Sequence, residues 1–108
     1  MKPSKRKKVE KAGWRVGDAQ EFLGLTDEES ALIEIKLQLA GALKAKRQAK
    51  RYTQTSFAEL IGSSQSRVAK MEAGDPAVST DLLLKGMLAL GVSPKEIAKV
   101  LGKASKAA

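Results

Sequence analysis

Apolar residues recur every three or four positions along most of the chain, a spacing that predicts helices rather than strands. The longest such run predicts a helix from Asp27 to about Arg51, opened by a capping box of Thr26 and Glu29. Its apolar stripe comprises Leu32, Ile35, Leu39 and Leu43, widened by Ile33, Leu37 and Ala40. Because this stripe is wide, we expect more than one partner surface to cover the helix.

The segment from Thr53 to Gly74 predicts two short helices joined by a tight turn. Thr53 caps a helix over 54–61, and Gly62 ends it because glycine reaches positive φ without steric cost. Ser63 and Ser64 form the turn, and Ser64 caps a second helix over 65–73. The expected core residues of this pair are Phe57, Leu60, Val68 and Met71. The outer face of the second helix carries Gln65, Ser66, Arg67 and Lys70, all able to bind bases or phosphates. This pattern is typical of a helix-turn-helix.

The rest of the chain predicts further helices and two polar ends. Ser79 caps a helix over 80–90, and a capping box of Ser93 and Glu96 opens another through Leu101. A short helix over 18–23 precedes the long one. Residues 1–13 are predicted to be a basic, disordered arm, residues 14–102 a helical domain, and residues 103–108 a flexible tail. Trp14 should mark where order begins. The fold class is therefore all-α, with five or six helices.

Composition narrows the classes of function. The 108 residues carry a formal charge of +8 and a pI near 9.9, which favour a polyanionic partner. The chain has no cysteine and no histidine, so we expect no enzyme, no metal and no cofactor. No apolar run is long enough to cross a bilayer, and we expect a cytoplasmic protein without membrane contact.

The positive charge is unevenly placed. Residues 44–51 carry five basic side chains, whereas residues 53–90 carry three basic and four acidic ones. We therefore predict that the second short helix supplies specificity, while the 44–51 segment, including Arg47 and Arg51, contacts the DNA backbone. This segment, with the basic arm as a further candidate, should supply much of the salt-dependent affinity. The alternative for this segment is a solvated helix end that complements the helix dipole.

From Leu43 to about Ser93 the sequence resembles the Cro/C1-type (XRE) helix-turn-helix family. The matching positions are Thr53-Gln54, Phe57-Ala58, Gly62, Ser64, Val68, Glu72, Gly74 and the run from Ala89 to Ser93. Three positions depart from the family pattern. Ser56 replaces an acidic residue or lysine, Phe57 replaces leucine, and Ser63 replaces valine and makes the turn more polar.

The resemblance implies a lambda-repressor-like domain whose second short helix lies in the major groove of double-stranded DNA. Gln65 would be the main base reader, because a carboxamide pairs bidentately with adenine. Ser66, Arg67 and Lys70 would also face the bases. Gln54, Ser63 and Ser64 would contact phosphates, and Gln54 would also brace Gln65. Useful specificity requires two half-sites, so a homodimer on a palindromic operator is expected.

A narrower resemblance leaves alternatives open. The run from Gly13 to Glu29, together with the later motif, is similar to HigA-like antitoxins that bind their own operator and a RelE/HigB-like ribonuclease toxin. One hypothesis is an autoregulatory repressor. The second is an antitoxin that mainly neutralises the toxin through residues 1–30 or the long helix. A third is a transcriptional bridging factor that uses the motif to contact another protein.

Overall fold

The computed structural model describes the backbone of residues 24–107 and the side chains of residues 24–102. This part of the chain contains five helices and no strand: α1 (Asp27–Ala49), α2 (Gln54–Leu60), α3 (Gln65–Ala73), α4 (Thr80–Ala89) and α5 (Pro94–Ala107). The all-α prediction is confirmed. The predicted basic arm, Trp14 and the helix over 18–23 lie outside the described residues. None of the described helices combines the length and hydrophobicity needed to cross a bilayer.

The chain forms two compact units, residues 1–34 and 35–108. In the described part of the first unit, α1 begins at the predicted capping box. The Thr26 N–H donates to Glu29 Oε1 at 2.9 Å, and the Glu29 N–H donates to Thr26 Oγ1 at 3.1 Å. These hydrogen bonds hold the pKa of Glu29 below its ordinary value. The side chains of Leu32 and Ile33 are exposed.

The second unit has one hydrophobic core to which α1, α2, α3 and α4 all contribute. Its buried members are Leu39, Ala40, Leu43, Phe57, Ala58, Val68, Met71, Val78, Leu83, Met87, Leu90 and Val92. Lys36 Nζ also donates to the main-chain carbonyl of Asp75 at 3.2 Å, which ties α1 to the loop after α3. The predicted apolar stripe of α1 is therefore buried at Leu39 and Leu43, whereas Leu37 is 47% exposed.

One predicted core residue is wrong. Leu60 is 48% exposed, while Phe57 and Ala58 are buried and Ile61 is half-buried. Successive helical residues turn by about 100°, so Phe57, Ala58 and Ile61 share one face and Leu60 lies roughly 110° from its centre. The short α2 packs only that face against the core.

Four helix ends share the same pair of backbone hydrogen bonds, the Schellman arrangement. At α1, Tyr52 N–H donates to the Arg47 carbonyl at 3.1 Å and Arg51 N–H donates to the Gln48 carbonyl at 3.0 Å. Equivalent bonds follow α2, α3 and α4, where the left-handed residues are Gly62, Gly74 and Gly91. At α1 that position is Arg51, with φ of 63°, the one non-glycine residue of the described chain at positive φ.

The last helix is longer than its periodicity predicts. It runs to Ala107 rather than ending at Leu101, and Gly102 lies inside it without a positive φ. A glycine ends a helix when it takes up the left-handed conformation, and Gly102 does not. Fraying of residues 103–108 stays a prediction.

Candidate nucleic-acid interface

The helix pair α2–α3 has the capped, tightly turned form that its sequence predicts. Ser64 accepts a hydrogen bond from Arg67 N–H at 3.2 Å and so caps α3. Thr53 caps α2 in a reciprocal box with Ser56: each side chain accepts from the other residue's N–H at 2.9 Å. The sequence shows Ser56 only as a departure from the family pattern, and its capping role was missed.

The outer face of α3 presents the predicted base-reading residues together. Gln65, Ser66, Arg67 and Lys70 are all exposed, while Val68 and Met71 on the other side of the helix are fully buried. Within the described part of the chain, neither Arg67 nor Lys70 has a side-chain partner. The buried face therefore fixes α3 on the domain and leaves a polar surface available to a ligand.

The predicted phosphate-binding residues around the turn are placed less uniformly. Ser64 is exposed, and its Oγ lies 3.3 Å from Ser66 Oγ. Ser63 and Gln54 are half-buried. Ser63 and Ser64 lie in the turn between α2 and α3, whereas Gln54 is the first residue of α2 and reaches the start of α3 through its side-chain hydrogen bond with Gln65.

A chain of side-chain hydrogen bonds runs from Gln65 into the protein interior. Gln65 Nε2 donates to Gln54 Oε1 at 2.7 Å, and Gln54 Nε2 donates to Glu72 Oε1 at 3.1 Å. The predicted bracing of Gln65 by Gln54 is present in this geometry. The further connection to Glu72, the family-pattern glutamate, was not predicted.

Arg47 has a different place from the one predicted. Its side chain is 9% exposed, and it pairs with the Glu72 carboxylate, whose side chain is 3% exposed. Arg47 Nη2 donates to Glu72 Oε1 at 3.0 Å, Nε donates to Oε2, and Nη1 donates to the Tyr52 carbonyl at 2.7 Å. The hydrogen bonds with Glu72 hold the pKa of Arg47 above its ordinary value despite burial. Because these bonds occupy the guanidinium internally, the geometry argues against the predicted DNA-backbone contact for Arg47.

The basic end of α1 therefore has fewer cationic side chains available to bind DNA than its sequence suggests. Lys46 Nζ lies 3.5 Å from Glu96 Oε2 on α5. Lys44, Lys50 and Arg51 are exposed. Arg51 lies only three residues before Gln54, so of these three it is the nearest in sequence to the α2–α3 turn.

The comparisons agree with this architecture. A family model described as helix-turn-helix matches residues 43–97, which covers α2, α3 and α4 completely. This match spans half of the chain, and the chain belongs to that family, the Cro/C1-type (XRE) helix-turn-helix. It is a DNA-binding transcriptional regulator. No match was found among curated proteins or among solved structures.

Proposed function

We propose that the protein is a cytoplasmic, autoregulatory repressor that binds a palindromic operator as a dimer, with α3 in the major groove. The observation that carries this proposal is the polar outer face of α3, where Gln65 is exposed and already held by Gln54 at 2.7 Å. A side chain ordered before binding loses little further rotamer entropy when it meets a base.

The base-reading roles follow from the chemistry of each side chain. Gln65 reads adenine, because its remaining amide N–H and its carbonyl oxygen match N7 and N6 of that base. Arg67 reads guanine through O6 and N7, or holds a phosphate. Ser66 and Lys70 lie on the same exposed face and discriminate less sharply.

The phosphate contacts are assigned to residues around the turn and at the end of α1. Gln54, Ser63 and Ser64 lie at the start of α2 and α3, and Arg51 is exposed just before α2. Arg47 is not assigned to a phosphate, because its guanidinium is paired with Glu72. Exposed Lys44 and Lys50 join the phosphate-binding residues as further sources of salt-dependent affinity.

The dimer follows from the size of the reading surface. One recognition helix covers only a few base pairs, so a specific operator needs two half-sites and two copies of α3. α4 and α5 are the first candidates for the interface, and Leu88 on α4 and Leu101 on α5 are 52% and 37% exposed. Sedimentation should show a dimer, and Leu88→Lys should shift the protein toward monomer.

Selection of bound sequences from a random DNA pool tests the proposal. The wild-type chain should enrich an inverted repeat, and Gln65→Ala should lose preference at one base pair in each half-site. Gln48→Ala is the matched control, since Gln48 is an exposed glutamine on α1 outside the reading face. Absence of any enriched sequence, or equal effects of both substitutions, would overturn the assignment of α3.

An antitoxin role is the second candidate, and a specific observation favours it. Leu32, Ile33 and Leu37 on α1 are 51%, 38% and 47% exposed, and exposed aliphatic side chains suit a protein partner. Under this proposal a RelE/HigB-like toxin covers part of α1. Co-expression with a small toxin-like neighbouring gene should give a complex that Leu37→Glu weakens while DNA selection is unchanged. Toxin binding that is unaffected by Leu37→Glu would remove α1 from the interface.

A further inference from the structure

The hydrogen-bond chain behind Gln65 has a direction that begins at a buried ion pair. The Glu72 carboxylate can only accept hydrogen bonds when ionised. Its Oε1 accepts from Arg47 Nη2 at 3.0 Å and from Gln54 Nε2 at 3.1 Å. The NH₂ group of Gln54 must therefore point inward to Glu72, and the Gln54 carbonyl oxygen must point outward.

The outward carbonyl of Gln54 then fixes the amide of Gln65. Because Gln54 Oε1 can only accept, Gln65 must turn its own NH₂ group toward it, and Nε2 donates at 2.7 Å. One N–H of Gln65 is used in this bond. Its second N–H and its carbonyl oxygen remain available to DNA. The hydrogen bonds among Glu72, Gln54 and Gln65 fix which of these two groups lies on which side of the amide.

We propose that the buried Arg47–Glu72 pair is a positioning device that sets, through Gln54, which way round the Gln65 amide is presented to DNA. This inference rests on the proposed base-reading role of α3. Adenine offers an acceptor at N7 beside a donor at N6, so an amide turned through 180° would place donor against donor and acceptor against acceptor. Glu72 and Arg47 are positioning residues for specificity, although neither reaches a base.

The burial of the pair is consistent with this role. The two side chains are 9% and 3% exposed, and Arg47 is also held by the Tyr52 carbonyl at 2.7 Å. Buried ion pairs commonly add little stability over well-packed apolar residues. An apolar pair at these positions would leave Gln54 free to rotate its amide, and the order at Gln65 would be lost. The chain of hydrogen bonds from Glu72 through Gln54 to Gln65, here called the relay, has a fixed direction only if it begins at an immobile group that accepts hydrogen bonds and cannot donate them, such as the Glu72 carboxylate.

Glu72→Gln is the decisive variant, because an amide can donate as well as accept and so removes the direction of the chain. Glu59→Gln makes the same chemical change at an exposed position of α2. Val78→Ala is a stability control, since Val78 is buried in the core but outside the chain of hydrogen bonds. All variants are compared below their melting temperatures.

Two measurements are made on the full chain. In the free protein, NMR should show the one side-chain N–H of Gln65 that bonds to Gln54 protected from exchange with water in the wild type and in both controls, and unprotected in Glu72→Gln. In DNA selection, preference for adenine at the Gln65 base pair should fall about tenfold in Glu72→Gln and stay unchanged in the controls, because the amide no longer pairs bidentately with the base. Unchanged protection and unchanged preference in Glu72→Gln would overturn the proposal.

Gln54→Ala gives a second route if Glu72→Gln does not fold. It cuts the chain between the ion pair and Gln65 while leaving Arg47 and Glu72 paired, and it should produce the same two losses. Retained protection of Gln65 in Gln54→Ala would also overturn the relay. A wild-type chain that selects no DNA sequence but protects the Gln65 amide would instead refute the proposed function and leave the ordering of the side chain established.

Discussion

Arg51 combines an unfavourable backbone conformation with an exposed positive charge. It occupies the left-handed position after α1 with φ of 63°, where α2, α3 and α4 are each followed by glycine. A left-handed residue with a Cβ costs about 1–2 kcal/mol. Glycine has an entropic cost of about 0.5–1 kcal/mol, so we expect Arg51→Gly to stabilise the protein by about 0.5–1 kcal/mol.

The same substitution should weaken DNA binding. Arg51 is assigned to a phosphate, and removing one such interaction lowers the slope of log K against log salt by about 0.9. Arg51→Gly would therefore be more stable and bind less well. If Arg51 affected only folding, its substitution would not raise stability and weaken DNA binding at the same time.

A series of variants separates the backbone from the charge. Arg51→Asn should be intermediate in stability because asparagine tolerates the left-handed region, and Arg51→Ala should be close to wild type. All three lose the same charge and should lose the same salt dependence. Lys50→Gly is the matched control: it removes a neighbouring charge at a residue without positive φ, and it should destabilise.

Urea denaturation gives the stabilities, and fluorescence anisotropy of labelled DNA at several salt concentrations gives the slopes. If Arg51→Gly is no more stable than Arg51→Ala, the reasoning about backbone strain fails. If the salt slope of all three variants equals that of the wild type, Arg51 does not contact phosphate.

Two further predictions concern the fold. Gly86→Ala should destabilise the protein by about 1 kcal/mol, because the new Cβ would lie 3.0 Å from Met71 Cε and 3.2 Å from Leu43 Cδ1 in a filled core. At Gly41 a Cβ would meet nothing within 4 Å, so Gly41→Ala should stabilise the protein by about 0.5–1 kcal/mol. Urea denaturation of both variants tests whether the two changes in stability have opposite signs. The Ser93 N–H and then the charge of Lys46 hold the pKa of Glu96 below its ordinary value, so its stabilising contribution is complete above that ordinary value and is lost as pH falls through the lowered one. NMR titration should show the lowered pKa, and Lys46→Ala should raise it partway; a pKa at the ordinary value in the wild type would contradict the capping geometry.

Features of the fold that depend on neighbouring residues were predictable from sequence. The capping residues Thr53, Ser64 and Ser79 each accept a hydrogen bond from a backbone N–H three residues later. Such bonds depend only on the residue type and its position before an apolar run. For the same reason the bounds of α3 and the starts of the other four helices were predicted correctly.

Features of the fold that depend on residues far apart in the sequence could not be predicted in this way. Arg47 and Glu72 are 25 positions apart, and only the folded chain shows that one neutralises the other. Seen in the run 44–51, Arg47 looks like any other solvated cation. The prediction that Leu60 is buried was wrong for a related reason. A two-turn helix has several possible buried faces, and the packing of α2 on its neighbours decides which one is buried.

The most direct test of DNA reading by α3 is NMR of the isotope-labelled chain while a duplex carrying its selected sequence is added. The largest shifts should fall on the amides of residues 63–70 and on the side chains of Gln54 and Gln65, with smaller ones near Arg51. Shifts confined to α1 or α5, with α3 unchanged, would contradict the assignment of α3 as the DNA-reading helix.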